Sequence, residues 1–563
     1  MSRISVKEFE ERLARCFVDF TVADYKNYVK SKAEQIPPHN RELFITELEA
    51  VIKADAPRRK YAESATPAPG SDEYVDMWLD RIDAFQENYD DLAYRYENGE
   101  YDEDEYERMT GRYYGGSYFY DDDIDFADLN GFDTLCEEGY EIFLAAKDLF
   151  VEGHYWHARK LYEKAVAVIN DMDYELYSLR SEPEGVDFID ELSRFVRCIY
   201  LTEEMASRPE AMYAYMQAGM FGGDKINLTS VIECAREDLD GIGEFLPIWN
   251  EYLMTQPVTS NSSSLIREAA KMIGGADGTK QLALEHGNQY PEAYLDWIML
   301  AKSEKADITD ICLHALSELE SSDAAIKICM HLAEQSEENG NTGNCLYAWK
   351  KAFYYKKDIR HLVNMLKYAK IENRYQESLA YALDEIGNLP SKEDKRFLTF
   401  HIRLLGSEVD DAYQICKDDA ELGWSYNISN VPIIMGYMMK LLSKDKDKHK
   451  AMIDRFWAHY SRELNDGCGY DDLVNDSINS TDLDDEQREK YYTWCEEICG
   501  KRVDSIVSNQ HRNAYERAAM ALVACSEAKS ILYGTYEGTA LIDKYLAKYP
   551  RHNKFHAAVR NNR

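Results

Sequence analysis

The chain has 563 residues, and its 103 Asp and Glu against 65 Lys and Arg give a formal net charge of −38 at pH 7. This length can form a large core or several domains, and a hydrophobic content of 45% excludes a disordered acidic chain. The negative charge argues against direct nucleic-acid binding, because phosphates would be repelled. It favours a basic protein or peptide partner, or serves solubility alone.

No stretch of the sequence has the character of a signal peptide or a membrane span. Residues 1–17 are interrupted by charges, and the longest apolar candidate, residues 431–442, contains Pro432 and Lys440. We therefore expect a cytoplasmic protein without a membrane partner. The twelve Cys are scattered, mostly singly, so we expect reduced, buried thiols and no cofactor or metal.

The N-terminal part divides by composition. Residues 1–55 contain three helical stretches and predict a helical cap, whose first helix has Ser5 and Glu8 as a capping box. Residues 56–70 are rich in Ala and Pro without periodicity, which predicts a linker. Residues 71–96 carry apolar side chains at helical spacing and predict one helix of a degenerate repeat.

Residues 97–133 predict an acidic, Tyr-rich insertion, since they hold 13 acidic residues, and Gly111, Gly115 and Gly116 break any helix. Its aromatics either dock onto the rest of the protein as an internal competitor or become ordered on a basic partner; a solvated insertion without a role is the third possibility. The candidate partner-binding residues are Tyr101, Tyr106, Tyr113, Tyr114, Tyr118, Tyr120, Asp121, Asp122 and Asp123.

A helical hairpin is best marked over residues 142–169. Apolar residues recur at helical intervals from Ile142 to Leu149 and again from Ala158 to Ile169. Gly153 stands between them, where a helix needs a left-handed C-terminal residue. One hairpin cannot bury both of its faces, so it requires neighbours on each side.

Six residues of this hairpin match the small, turn and aromatic positions of a repeat family: Ala146, Gly153, Tyr155, Ala158, Tyr162 and Ala165. The hairpin thus resembles a tetratricopeptide repeat, a helix–turn–helix unit of about 34 residues. The usual Trp and Gly of its first helix are replaced, with Ile142 near the former and Ala146 at the latter. The resemblance implies a stack of hairpins that exposes a concave binding surface.

Residues 134–260 form the first predicted helical-repeat segment. Within it, Ser230 and Glu233 predict a capping box, and Pro247 predicts a turn. The following helix is expected to end at Gly274-Gly275.

The repeat pattern returns after residue 291, in the predicted central repeats of residues 261–389. Trp297 and Ala301 occupy first-helix positions, and Ala333 follows Ala301 by nearly one repeat length, at what we interpret as the same small position. Asn373 follows the turn residue Gly340 at a similar interval and predicts the same turn.

Residues 390–563 predict C-terminal helical repeats with a basic tail. The last predicted hairpin, residues 515–549, is similar to the ends of helical arrays that accompany SWIM-type zinc fingers. The zinc-ligand motif of that family is absent, so this similarity implies neither zinc nor DNA binding.

Three groups of residues are candidates for metal binding. Cys495 and Cys499 lie four residues apart on a predicted helix, but a structural zinc site needs four ligands. His154 and His157 flank a helix start, and residues 126–137 approach a calcium loop without the first carboxylate. We interpret all three as structural features, and the sequence has no nucleophile elbow or Gly-rich dinucleotide loop.

Together these features predict an all-α, tetratricopeptide-like α-solenoid with an N-terminal helical cap and one acidic insertion. The function expected of it is a non-catalytic scaffold or adaptor that binds a peptide or partner protein on a concave surface. Two alternatives remain. One is an acidic inhibitor or decoy of a nucleic-acid-binding protein, and the other is an enzyme whose site is assembled from distant residues.

Overall fold

The structure is a computed structural model that describes residues 67–68, 70–98, 132–171, 187–217, 226–417, 430–444, 450–465 and 467–563. These residues contain 23 α-helices, one short 3₁₀ helix and no β-strand, so the predicted all-α class is confirmed for the described part of the chain. They form two compact units, with the boundary between Leu282 and Ala283. The predicted N-terminal cap and nearly all of the acidic insertion lie outside the described residues.

The N-terminal unit contains the first eight described helices, the last of which runs just past the boundary. In chain order, α1 to α8 are Asp72–Asn98, Phe132–Val151, Tyr155–Asp171, Phe188–Thr202, Arg208–Met216, Leu228–Glu233, Ile242–Met254 and Ser260–His286.

The predicted hairpin of residues 142–169 is confirmed as α2 and α3. Gly153 between them has a φ of +84°, and the N–H of His154 donates to the carbonyl of Leu149 at 2.8 Å. This is the hydrogen bond of a Schellman turn, which satisfies a carbonyl at the helix end. Helices α1 and α4 pack against the hairpin, so its faces have the neighbours that its apolar pattern requires.

Two of three local predictions in this unit are wrong. The capping box of α6 uses Asn227 with Ser230, because Asn227 is the residue whose side chain accepts the free N–H of Ser230. Pro247 is the sixth residue of α7, where it removes one intrahelical hydrogen bond without ending the helix. The predicted helix end at Gly274-Gly275 is confirmed, because Gly275 has a non-helical backbone (φ 58°, ψ −131°) that separates α8 into two helical parts.

The C-terminal unit contains the other fifteen described α-helices. In chain order, α9 to α23 are Glu292–Ser303, Thr309–Glu318, Asp323–Glu338, Thr342–Tyr355, Ile359–Ile371, Tyr375–Ile386, Lys392–Leu405, Val409–Cys416, Asn430–Leu442, Ala451–Asn465, Tyr470–Ser480, Asp485–Ser508, Tyr515–Tyr533, Thr535–Lys548 and Asn553–Asn561.

Helices α9 to α16 form four successive hairpins with one recurring turn. A residue with a left-handed backbone links the two helices of each hairpin, and these residues recur at nearly constant intervals: Lys305, Gly340, Asn373 and Ser407. Each turn has a Schellman hydrogen bond, such as that from the N–H of Asn341 to the carbonyl of Ser336 at 2.7 Å. Neighbouring helices in this series pack together, so the protein is an α-solenoid of stacked hairpins here.

The turns also correct the predicted register of the repeats. Ala301 lies four positions before its turn residue, whereas Ala333 lies seven before its own, so the two are not equivalent. The position of Ala301 is occupied by Ser336 and Ala369 in the next two hairpins, and both are buried. A small side chain at this site lets the second helix pack closely, and serine serves as well as alanine.

The packing changes after α16. Helix α21 is buried on all sides from Ala518 to Ser526 and is contacted by α17, α18, α20, α22 and α23. A helix without an exposed face needs several neighbours, and its alanines let them approach. The C-terminal part of this unit is therefore a bundle around α21. No described helix of either unit is long and apolar enough to cross a membrane.

Candidate functional site

The nine predicted partner-binding residues, from Tyr101 to Asp123, lie outside the described residues. Cys495 and Cys499 are buried in α20, and burial raises the pKa of the Cys495 thiol well above its usual range. In the first hairpin, His157 lies 3.2 Å from Asp72 and His154 lies 3.8 Å from Glu152. No group of three or more His, Cys, Asp or Glu in the described part of the chain is placed to hold a metal ion.

A cavity of the C-terminal unit lies between α20, α21 and α22. It has a volume of about 960 Å³, within the range of ligand sites. We call it the acidic groove, because carboxylates outnumber lysines in its wall. Its polar and aromatic lining comprises Glu489, Tyr492, Glu496, Glu497, Lys501, Asp504, Lys529, Tyr533, Glu537, Lys544 and Tyr545.

Two glycines inside helices let the walls of the groove approach each other. A Cβ on Gly538 would lie 1.9 Å from the Ser530 hydroxyl oxygen and 2.5 Å from the Ser526 carbonyl oxygen. A Cβ on Gly500 would lie 2.3 Å from the Tyr545 hydroxyl oxygen. Glycine is unfavourable within a helix, so its presence here is explained by the close approach of neighbouring side chains and backbone.

The substitution Gly538→Ala is expected to lower the free energy of unfolding by about 1–3 kcal/mol, because the new methyl group overlaps the backbone of α21. Gly500→Ala is the matched control: its methyl group meets only the tip of one side chain, which can move. Thermal unfolding of both variants checks this. An equal or larger loss for Gly500→Ala would contradict the proposed close approach of α21 and α22.

Several carboxylates in the groove already have partners. Glu496 accepts from Tyr492 Oη at 2.7 Å and from Lys529 Nζ at 2.8 Å, while Glu497 lies 2.7 Å from a lysine one turn further along α20. Burial alone would raise the pKa of Glu496, but these hydrogen bonds and charges outweigh burial and hold the pKa below its ordinary value. Asp504 is bound on both oxygens by side chains at the C-terminal end of α22.

Two carboxylates in the groove have no cationic partner in the part of the chain that the structure describes. Glu489 accepts a hydrogen bond from Tyr533, and the side chain of Glu537 has neither a hydrogen bond nor an ion pair among the described residues. Five carboxylates against three lysines leave the lining with a formal charge of −2. The groove therefore presents a local negative charge that its own lysines do not neutralise.

The tyrosines of the groove remain neutral hydroxyls at physiological pH. Burial and the Glu489 carboxylate raise the pKa of Tyr533 to about 12. Lysines already lie over ring faces here, with Lys529 Nζ 5.7 Å from the centre of the Tyr492 ring. Tyr536, the residue before Glu537 in the sequence, is 82% exposed, which is unusual for a large aromatic side chain. Together they offer aromatic faces to a cationic ligand.

A smaller cavity of about 510 Å³ lies between α12 and α14. Its cations are already engaged with the protein: Lys350 lies over the Tyr381 ring at 4.1 Å, and Arg374 pairs with Glu377 at 2.5 Å. Because few of its charges are left for a ligand, this cavity is a weaker candidate than the acidic groove.

The residues of the acidic groove do not stand out in the sequence. A signal is present, since Tyr492 and Glu496 stand four residues apart on one helix face and Gly500 continues that face. The same spacing occurs on many solvated helices, and only the packing of α22 against α20 and α21 makes it a cavity.

Comparisons with known proteins add little to this description. No protein-family model matches the chain, and no curated protein matches it. Among solved structures, a circular tandem repeat protein with novel repeat topology and enhanced subunit contact surfaces covers 86% of this chain and 98% of its own. The identity is 13% and the TM-score is 0.17. At that TM-score the fold assignment rests on the helices and contacts described above.

Proposed function

We propose that the protein is a non-catalytic helical-repeat scaffold that binds a basic segment of a partner protein in the acidic groove. The observation that carries this proposal is the pair of carboxylates without cationic partners, Glu489 and Glu537, in a cavity lined by neutral tyrosines. A Lys or Arg side chain would pair with such a carboxylate and lay its stem or guanidinium against a ring face.

We further propose that the hairpins of α9 to α16 are tetratricopeptide-like. Support comes from the spacing of their left-handed turn residues, which is close to the family's repeat length of about 34 residues. Stacked repeats of this kind present extended surfaces to peptides and partner helices. A scaffold role follows from that architecture more readily than catalysis does.

The electrostatics of the groove also favour binding over catalysis. A general acid at neutral pH needs a carboxyl group whose pKa is raised. The pKa of Glu496, which accepts hydrogen bonds from Tyr492 and Lys529, is instead lowered by these partners. The groove therefore suits recognition of a cation. It repels the phosphates of nucleic acid, in agreement with the charge of the whole chain.

The test is a binding assay with a library of short peptides, measured by fluorescence polarisation. We expect bound sequences to be enriched in Lys and Arg. The double variant Glu489→Gln/Glu537→Gln should bind the tightest peptide with about tenfold lower affinity, because two exposed charge contacts contribute up to about 1 kcal/mol each. Binding should also weaken as salt is raised, since exposed charges are screened.

The matched control is Glu320→Gln/Glu338→Gln, which removes the same charge from two exposed positions outside the groove. It should retain the affinity of the unmodified protein. Equal weakening in both double variants would mean that net charge, and not the groove, attracts the peptide. A peptide set without excess Lys or Arg would refute a basic partner.

A further inference from the structure

A cavity of the C-terminal unit is lined by cations in a chain that is strongly acidic. It has a volume of about 430 Å³ and lies between α18, the first turns of α21 and the residue that follows α23. We call it the arginine pocket. The polar side chains that line it are Arg455, His459, Arg462, Glu516, Arg517 and Asn562.

The cations come from two helices. Arg455, His459 and Arg462 stand at i, i+4 and i+7 on α18, which places them on one exposed face. Arg517 comes from the first turn of α21, and α21 packs against α18. The packing of these helices thus adds a third guanidinium group to two that already share a face.

The carboxylates of the described residues do not neutralise this cluster. Glu516 is the single carboxylate in the lining, and it accepts from the Asn562 amide nitrogen at 2.9 Å. The Asn562 amide oxygen accepts from Arg455 at 3.0 Å. Among the described residues, the side chains of Arg462 and Arg517 have no hydrogen-bond or ion-pair partner. With His459 neutral, three arginines and one glutamate leave a formal charge of +2.

The positive charges of all three arginines act on His459. Partial burial, and then the positive charges of Arg517, Arg455 and Arg462, all lower the pKa of His459. Like charges that converge in this way repel one another. In a chain with 103 Asp and Glu against 65 Lys and Arg, available carboxylates are plentiful. An anion in the pocket would relieve this repulsion.

We propose that the arginine pocket binds a dianionic phosphate group, either free or as the monoester of a small ligand. Two negative charges match the formal charge of the lining. Guanidinium groups bind such oxyanions through paired, charge-assisted hydrogen bonds. The volume admits a phosphate with a small substituent, and Ala458 and Met520 provide an apolar surface for it. This site is independent of the acidic groove.

The test is calorimetric titration of the full chain with inorganic phosphate and, separately, with glycerol phosphate, both at constant ionic strength. We expect saturable binding of at least one of them at a single site. Arg462→Gln and Arg517→Gln should each weaken binding at least tenfold. The affinity of Arg462→Lys should lie between those of Arg462→Gln and the unmodified protein, because lysine keeps the charge but cannot donate two parallel hydrogen bonds.

The matched control is Arg560→Gln, an exposed arginine of α23 outside the pocket, which should bind as the unmodified protein does. Circular dichroism shows whether each variant remains helical. Because the side chains of Arg462 and Arg517 have no described partner, their loss should not lower the melting temperature of the ligand-free protein. Absence of saturable binding of either phosphate, or equal binding by all variants, would overturn the proposal.

Discussion

Replacement of Arg194 by methionine is expected to destabilise helices α3 and α4 of the N-terminal unit by about 3–5 kcal/mol. Arg194 and Glu191 are one turn apart on α4, with 2.5 Å between their charged atoms. Glu191 is only 1% exposed and also accepts from the Tyr162 hydroxyl at 2.7 Å. Without the guanidinium, the buried carboxylate keeps the Tyr162 hydrogen bond and the weaker influence of the Lys147 charge. The loss of its hydrogen-bonded counter-charge is what destabilises the fold.

The effect should depend on pH with a defined sign. Burial raises the pKa of Glu191, and the Arg194 charge and the Tyr162 hydrogen bond oppose that rise. In Arg194→Met the pKa of Glu191 should rise further. The folded variant would then hold a proton that the unfolded chain releases, so its stability falls as pH rises above the ordinary carboxyl pKa. The difference from the unmodified protein is therefore smaller at pH 5 than at pH 7.

Hydrogen exchange of the amides in α3 and α4 measures this effect locally, even if the two units unfold separately. The double variant Glu191→Gln/Arg194→Met is the control, because a neutral amide still accepts from Tyr162 and leaves no buried charge. It should recover most of the loss. If Arg194→Met lowers the local stability by less than about 1 kcal/mol, or if the double variant does not regain the lost stability, this pair does not determine the stability of α4.

The second large effect concerns His401 in α15, which is completely buried. Its ring packs against Phe397, Phe400 and Tyr470, with centroid distances of 4.5, 4.8 and 5.6 Å. Nδ1 lies 2.8 Å from the Tyr470 hydroxyl oxygen, while Nε2 has no hydrogen-bond partner among the described residues. Burial in this apolar site lowers the pKa of His401 to about 3.

The folded protein thus loses stability in acid. Between pH 6.5 and about 3 the unfolded chain binds a proton at this histidine and the folded chain does not. The free energy of unfolding therefore falls by about 1.4 kcal/mol for each unit of decreasing pH, or about 2.7 kcal/mol at pH 4.5. Above pH 6.5 this contribution to stability is fully present.

The variant His401→Leu should show a flatter decline of stability between pH 6.5 and pH 4.5, although it is less stable at neutral pH because the Tyr470 hydroxyl loses its partner. The carboxylates contribute equally to both proteins, so the difference in slope isolates the histidine. Denaturant titrations at several pH values measure it. The control is His511→Gln, an exposed position, whose slope should match that of the unmodified protein. Identical slopes for all three proteins would refute a neutral buried His401.

Much of the repeat architecture is predictable from local sequence. A left-handed turn residue between two apolar faces marks a hairpin, and Gly153, Gly340 and Asn373 are all identifiable in that way. Lys305 and Ser407 adopt the same backbone conformation without being residues that favour it. Their conformation follows from the packing of the helices on either side, so local sequence does not mark two of the four turns in the solenoid.

The sequence by itself determined the all-α class and the first hairpin, because helical spacing fixes which side chains share a face. Only the tertiary structure decided what those faces meet. Arg462 and Arg517 share the arginine pocket but lie on different helices. The same is true of Glu489 and Glu537 in the acidic groove. No local pattern relates such positions, since their proximity depends on how α18, α20 and α22 pack around the buried helix α21. Both the acidic groove and the arginine pocket arise from that packing.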